Sequence, residues 1–250
     1  MLTVGIDLAA ESKNTALAKI EWSTDKARVL DLRVDVNDDA IVAGATEADK
    51  IGIDCPLGWP DTFVRFLRSF HEGSHDAIPP VADASWRRSL AYRVTDEQVR
   101  TDLSEFKVIP LSVAADRIGV TAMRAAKIQA SLAAAGHPID RSGAGLIVEV
   151  YPAGGLAFWK MTHNRYKGRE LVGNLEKLIS HLRELAPWLE FDEHEELCRR
   201  SDHAFDAVVA ALLARAAALG FTKSPSADQL AAAVREGWIA MPTCSIDALI

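Results

Sequence analysis

One stretch near the end of the chain limits what the rest can fold into. Residues Asp202 to Leu219 read as a helix, with Ser201 as N-cap, alanine and leucine filling the interior, and Gly220 as the stop. Side chains at i, i+4, i+7 and i+11 share one helical face. Asp202, Asp206, Val209 and Leu213 fall on that row, so two carboxylates lie on the stripe that apolar residues mark as core-facing. An acid in the first turn suits the helix dipole, which gives Asp202 a structural use. Asp206 lies one turn further in. Burying its charge costs several kcal/mol unless it is paired or binds a metal. The pair is therefore a functional candidate that calls for further carboxylates.

Composition narrows the partners. A net charge of −7 over 250 residues argues against a general nucleic-acid coat, so a protein gripping phosphates would have to gather its cations locally. Three cysteines (Cys55, Cys198 and Cys244) are scattered without metal-type spacing and read as reduced thiols of a cytoplasmic protein. Met1 to Asp7 has no basic n-region, and no apolar run is long enough to span a bilayer, so neither a signal peptide nor a membrane partner is expected.

Taken in order, the chain opens with strand patterns. Thr3 to Ala9 is a short apolar run, Thr15 to Trp22 continues extended, and Ala27 to Val36 follows a turn as a hairpin partner. Asp38 to Asp49 suits a helix capped by Asn37 or Asp38, and Lys50 to Asp54 is the next strand, closed by Pro56. Asp61 to Ala135 turns helical, with helices expected over Thr62 to His71 and Ser112 to Ala135 and no strand pattern. Leu146 to Tyr151 is the last clear strand; a second helical insertion, Leu156 to Arg199, precedes the opening helix. Ser226 to Glu236 reads as a short helix before a terminal apolar segment. The expected organisation is one domain over 1–250, with helical insertions at about 60–140 and 156–200.

Strand, hairpin, helix, strand, strand and C-terminal helix is the order of an α/β, RNase H-like mixed sheet. In that order Asp7, Asp54 and Asp202 or Asp206 converge at one end of the sheet, where open α/β sheets bind ligands. Convergent acids repel unless a cation neutralises them, and oxygen ligands suit Mg²⁺ or Mn²⁺. Two such ions about 4 Å apart can activate a water and stabilise the leaving oxygen of a phosphodiester.

Several motifs carry a resemblance. Val4-Gly5-Ile6-Asp7-Leu8-Ala9, Ile53-Asp54-Cys55-Pro56-Leu57-Gly58, Tyr92-Arg93-Val94-Thr95-Asp96, Glu149-Val150-Tyr151-Pro152, Ser201 to Ala207 and Glu236-Gly237-Trp238-Ile239 follow in order through nearly the whole chain. Together they resemble a bacterial and archaeal domain-of-unknown-function family labelled predicted RNase H-like nuclease. The resemblance implies a metal-dependent nuclease acting on DNA or RNA. On it, Asp7 matches the first-strand acid of RNase H-like nucleases, Asp54 the second acid of the Holliday-junction resolvases, and Asp202 or Asp206 the acid of the last helix. Glu149 has no firm counterpart and is either an extra ligand or a structural acid.

The basic residues have two readings each. Arg93 sits with Trp86, Arg87, Arg88 and Tyr92 in a basic-aromatic cluster of the kind that holds phosphates and stacks bases; alternatively it pairs with Asp96 or Asp83. Lys160, His163, Arg165, Lys167 and Arg169 form a second basic cluster, from which Lys167 is a substrate-binding candidate. Thr95, followed three residues later by Gln98, reads as a capping box. His203 could move protons beside Asp202, Cys55 reads as a small buried residue, and 192–196 as a solvated face.

The leading expectation is a phosphodiesterase with Asp7, Asp54, Asp202 and Asp206 holding metal and Glu149 assisting. An actin-like phosphotransferase is disfavoured, because such proteins pair two lobes and neither a second Gly-Ile-Asp start nor a Gly-rich phosphate loop is read in this chain. A catalytically silent nucleic-acid-binding module of the same fold is the third possibility.

Overall fold

The computed structural model describes residues 1–81, 83–113 and 118–250. Its sheet is mixed and six-stranded, in the order β5-β4-β1-β2-β3-β6. β1 (Leu2–Asp7), β2 (Ala16–Trp22) and β3 (Ala27–Val34) form an antiparallel meander. After α1 (Asp38–Ala45), whose first turn is capped by Asn37 accepting from the Ala40 N–H at 2.9 Å, β4 (Lys50–Asp54) returns parallel to β1. β5 (Ile147–Glu149) adds parallel to β4.

The first helical insertion holds α2 (Asp61–Glu72), α3 (Ala84–Ala91), α4 (Val94–Asp102) and α5 (Gly119–Ala134). The helix expected over 112–135 therefore begins at Gly119; positions 114–117 lie outside the described residues. The second insertion carries α6 (Pro152–Phe158), α7 (Val172–Leu185) and α8 (Glu195–Arg200), but is not wholly helical. A two-residue strand, β6 (Leu189–Glu190), pairs with β3 and extends the sheet at its edge. α9 (Asp202–Ala218) and α10 (Leu230–Glu236) complete the chain, with α10 four residues shorter at its start than expected.

α9 is the helix anticipated. Ser201 Oγ accepts from the Ala204 N–H at 3.2 Å. At the other end Gly220, at φ 75°, lets the Gly220 and Phe221 N–H groups satisfy the carbonyls of Ala217 and Ala216. Twelve α9 residues are buried, Phe205, Val208, Val209, Leu212 and Leu213 among them. Each large one stabilises the fold by roughly 1.5–3 kcal/mol.

Two apolar layers flank the sheet. α9 lies on one face with Ala18, Ile20 and Trp22, whereas α1 and α5 cover Val4, Ile6, Ile51 and Ile53 on the other. α9 approaches the sheet so closely that only glycine fits beneath it. A Cβ on Gly5 would lie 2.0 Å from the Ala207 carbonyl oxygen, and one on Gly52 2.5 Å from that of Ala210. Gly52-Ile53-Asp54 thus repeats Gly5-Ile6-Asp7, and the chain does carry a second Gly-Ile-Asp. The repeat pairs with the first inside one sheet, Gly5 with Gly52 and Asp7 with Asp54, instead of opening a second lobe.

Candidate metal centre

Strand alternation carries the glycine face on to the acids. Side chains two apart share a face, so Asp7 and Asp54 emerge on the same side as Gly5 and Gly52, where α9 lies. There Asp206, 1% exposed, meets them. One ligand oxygen from each of Asp7, Asp54 and Asp206 falls within 4.8 Å of the other two. All oxygen donors, close enough to share one ion, they are a set that a hard divalent cation suits. Among the described residues the Asp54 carboxylate has no hydrogen-bond donor, so its lone pairs are free for a cation. The donor set fits Mg²⁺ or Mn²⁺.

The other two acids are partly engaged. Asp7 Oδ2 lies 2.6 Å from His203 Nδ1. Asp206 Oδ1 accepts from the Tyr166 hydroxyl at 2.8 Å, and its Oδ2 lies 2.5 Å from the Lys167 ammonium. Desolvation and the neighbouring charge of Asp7, with Asp206 and Glu149 adding to it, push Asp54 well above the usual carboxylate range against the pull of Lys167. Burial pushes Asp206 up to about 6, although Lys167 and Tyr166 oppose the shift. The Asp7 contact raises His203 against its own desolvation. Lys167 is pulled down by burial, but Asp206 and Asp54 outweigh this and hold it above its ordinary value. Tyr151, pushed up to about 12 by burial and by Asp54, lines the same cleft of about 230 Å³.

Arg93 is elsewhere in that cleft wall and does another job. It is 1% exposed. Nε and Nη2 donate to Asp96 at 3.1 and 2.8 Å, Nη1 and Nη2 to Glu149 at 2.7 Å each, and Nη1 to the Glu236 carbonyl at 3.1 Å. A guanidinium has five N–H donors, and all are used. Arg93 is therefore a buried scaffold cation, not the phosphate contact its cluster suggested, and its partner is the anticipated Asp96 and not Asp83, which caps α3. Glu149 belongs to the same network, which matches the structural one of its two readings. Both its oxygens accept from Arg93, and Oε2 also accepts from the Leu57 N–H at 3.0 Å, so it braces the loop after β4 instead of joining the acids.

Asp202 is likewise outside the trio. It accepts from the Gly168 N–H at 2.9 Å and from the His203 N–H at 3.2 Å, which makes it a fastening point for a loop. The expected Thr95 capping box is also replaced. Arg93 is the N-cap residue of α4, its N–H bonded to Asp96, while Thr95 Oγ1 accepts from the Ile239 N–H at 2.8 Å. Tyr92 is half-buried beneath Arg88, whose guanidinium carbon is 4.9 Å from the ring centroid and whose Nη2 donates to Glu97. In the second basic cluster Lys160 and Arg165 are exposed, His163 packs edge-on against Phe106, and the side chain of Arg169 lies outside the described part of the structure. Cys55 is buried and its thiol pushed well up by that burial, as befits a packing residue.

Fold and site together define an α/β protein with a mixed sheet and a buried trio of carboxylates at one end of it. Within that class the chain belongs to the family described as protein of unknown function (DUF429), whose profile matches residues 5–230. No curated protein and no solved structure matches the chain. Among the described residues, no helix is long and apolar enough to cross a membrane.

Proposed function

We propose that this protein is a divalent-cation-dependent nuclease of RNase H-like architecture, hydrolysing phosphodiester bonds of DNA or RNA. The observation that carries the reading is the convergence of Asp7, Asp54 and Asp206 from two register-paired strand ends and a buried helix. The antiparallel meander, the parallel β4 and β5, and α9 laid across them support the architecture, and the order of motifs through the chain supports the substrate class. The proposal takes the chain as one domain, in a cytoplasmic setting that suits three free thiols.

Asp7 and Asp54 would hold Mg²⁺ or Mn²⁺, with Asp206 as third ligand. The bound ion would supply Lewis-acid stabilisation of phosphate charge and a more acidic water. His203, 41% exposed in its side chain, holds Nδ1 towards Asp7 and leaves Nε2 to accept or deliver a proton. Lys167, paired with Asp206 and lining the same cleft, offers its ammonium to the phosphate. Val4, Ile6 and Ile53 exclude water beneath the strand ends.

Asp7→Asn tests the reading. The parent should cleave single- or double-stranded nucleic acid with Mn²⁺, and the variant should fall by at least about 10²-fold while its far-ultraviolet circular dichroism is unchanged. Cleavage by the variant at the parent rate overturns the assignment. Nucleic-acid binding by the parent with no metal uptake would point instead to a silent binding module.

A further inference from the structure

Positive charge is already built into the acidic trio. Lys167 leaves the α6–α7 connection with its side chain 54% exposed, yet its ammonium lies 2.5 Å from Asp206 Oδ2 and lines the same cleft as Asp7 and Asp54. The connection is pinned to α9 at three successive residues. Tyr166 donates to Asp206, Lys167 pairs with it, and the Gly168 N–H donates to Asp202. To do so the backbone takes up left-handed conformations at Arg165 (φ 55°) and Gly168 (φ 99°). A non-glycine residue persists there only where surrounding contacts over-determine it. The ammonium is thus placed, not loosely draped.

The three carboxylates are not equally spent. Both Asp206 oxygens are engaged, Asp7 has given Oδ2 to His203, and Asp54 has given neither. The oxygens most open to an ion therefore sit on the paired strand ends, and Asp206 can join through a spare lone pair. We infer that the centre takes one divalent cation, between Asp7 and Asp54, and that the Lys167 ammonium stands where a second cation would otherwise be required. Charge supports the count. Three carboxylates are neutralised by one divalent ion and one ammonium, whereas a second divalent ion would leave the centre net positive in a poorly solvated cleft. An ammonium with three donors, one of them on Asp206, also keeps two for an anionic oxygen of the substrate. The inference rests on the metal-dependent reading above, and puts one ion in place of the pair expected from the sequence.

Manganese titration of the intact chain, with free Mn²⁺ read by electron paramagnetic resonance, tests it without reference to activity. The parent should take up one ion per chain, Lys167→Met two, and Lys167→Arg one. Asp54→Asn should weaken the first ion at least tenfold. Two ions in the parent, or one in a folded Lys167→Met, overturns the ammonium's role while leaving the metal centre standing. No uptake by the parent removes the metal-dependent reading itself, and this inference with it. If Lys167→Met does not fold, the counts for the parent and Lys167→Arg decide: one ion in each supports the inference, and two in either overturns it.

Discussion

Two buried charge clusters share one cleft wall, and they are finished differently. Around Arg93, every guanidinium donor meets an oxygen of Asp96, Glu149 or the Glu236 backbone, and Glu149 has further taken the Leu57 N–H. Around Asp7, three acids face one another with a single lysine and a single histidine, and Asp54 has no donor among the described residues. Both clusters hold acids that burial alone would mark as functional candidates. Counting donors separates them: a closed network stabilises the fold, and an open one keeps lone pairs for something else. Losing a partner should therefore hurt the first cluster as structure and the second as chemistry.

The largest effect is expected where the closed cluster is broken. Arg93→Ala strands Glu149 and Asp96 as uncompensated buried charges and should cost about 3–5 kcal/mol of stability, measured by urea unfolding. A loss under about 1 kcal/mol, the range of an exposed pair, would erase the distinction. Arg93→Lys should recover only part of the loss, because an ammonium cannot reproduce two bidentate contacts.

The open cluster should declare itself in pH dependence. Asp206 is pushed up to about 6, and Asp54 and His203 are also raised. A raised pKa means the folded state prefers the proton. The stabilisation is thus present below the unfolded value and lost as pH rises through the folded one. For Asp206 that window runs from the ordinary 3.8 to about 6. With chelator present, stability should fall across it by on the order of 2 kcal/mol. Saturating Mg²⁺ should flatten the fall, since the ion replaces the proton. A metal-free profile that rises over this window would contradict the account.

A smaller effect sharpens the boundary of the trio. Asp202→Asn keeps an acceptor for the Gly168 N–H, so stability should change by no more than about 0.5 kcal/mol and Mn²⁺ uptake should stay as in the parent. Weakened uptake would bring Asp202 back among the ligands.

Much of this was legible from particular residues. Asp7 and Asp54 stand out because acids close apolar strand runs, and Asp206 because helical spacing aims it at the core. Gly5 and Gly52 were equally available in the repeated Gly-Ile-Asp, whose meaning is the close approach of α9. Asp96, three residues from Arg93, was within reach of sequence reasoning. Glu149 as its other partner was not, being 56 positions away. Nor was the fastening of Tyr166 to Asp206, 40 positions apart, which turns an apparent basic patch into part of the centre. β6 is two residues long and exists only because β3 offers an edge. Thr95 misled because its hydroxyl is claimed by Ile239 across the fold, leaving the cap to Asp96.

The central claim is that the open trio, and not the closed cluster beside it, holds the cation. Crystals soaked in Mn²⁺, with anomalous data collected at the manganese edge, test it directly. The account predicts a single peak bridging Asp7 and Asp54 on the side of Asp206. A peak at Glu149 or Asp202, or none at the trio in crystals that bind Mn²⁺ elsewhere, would contradict it.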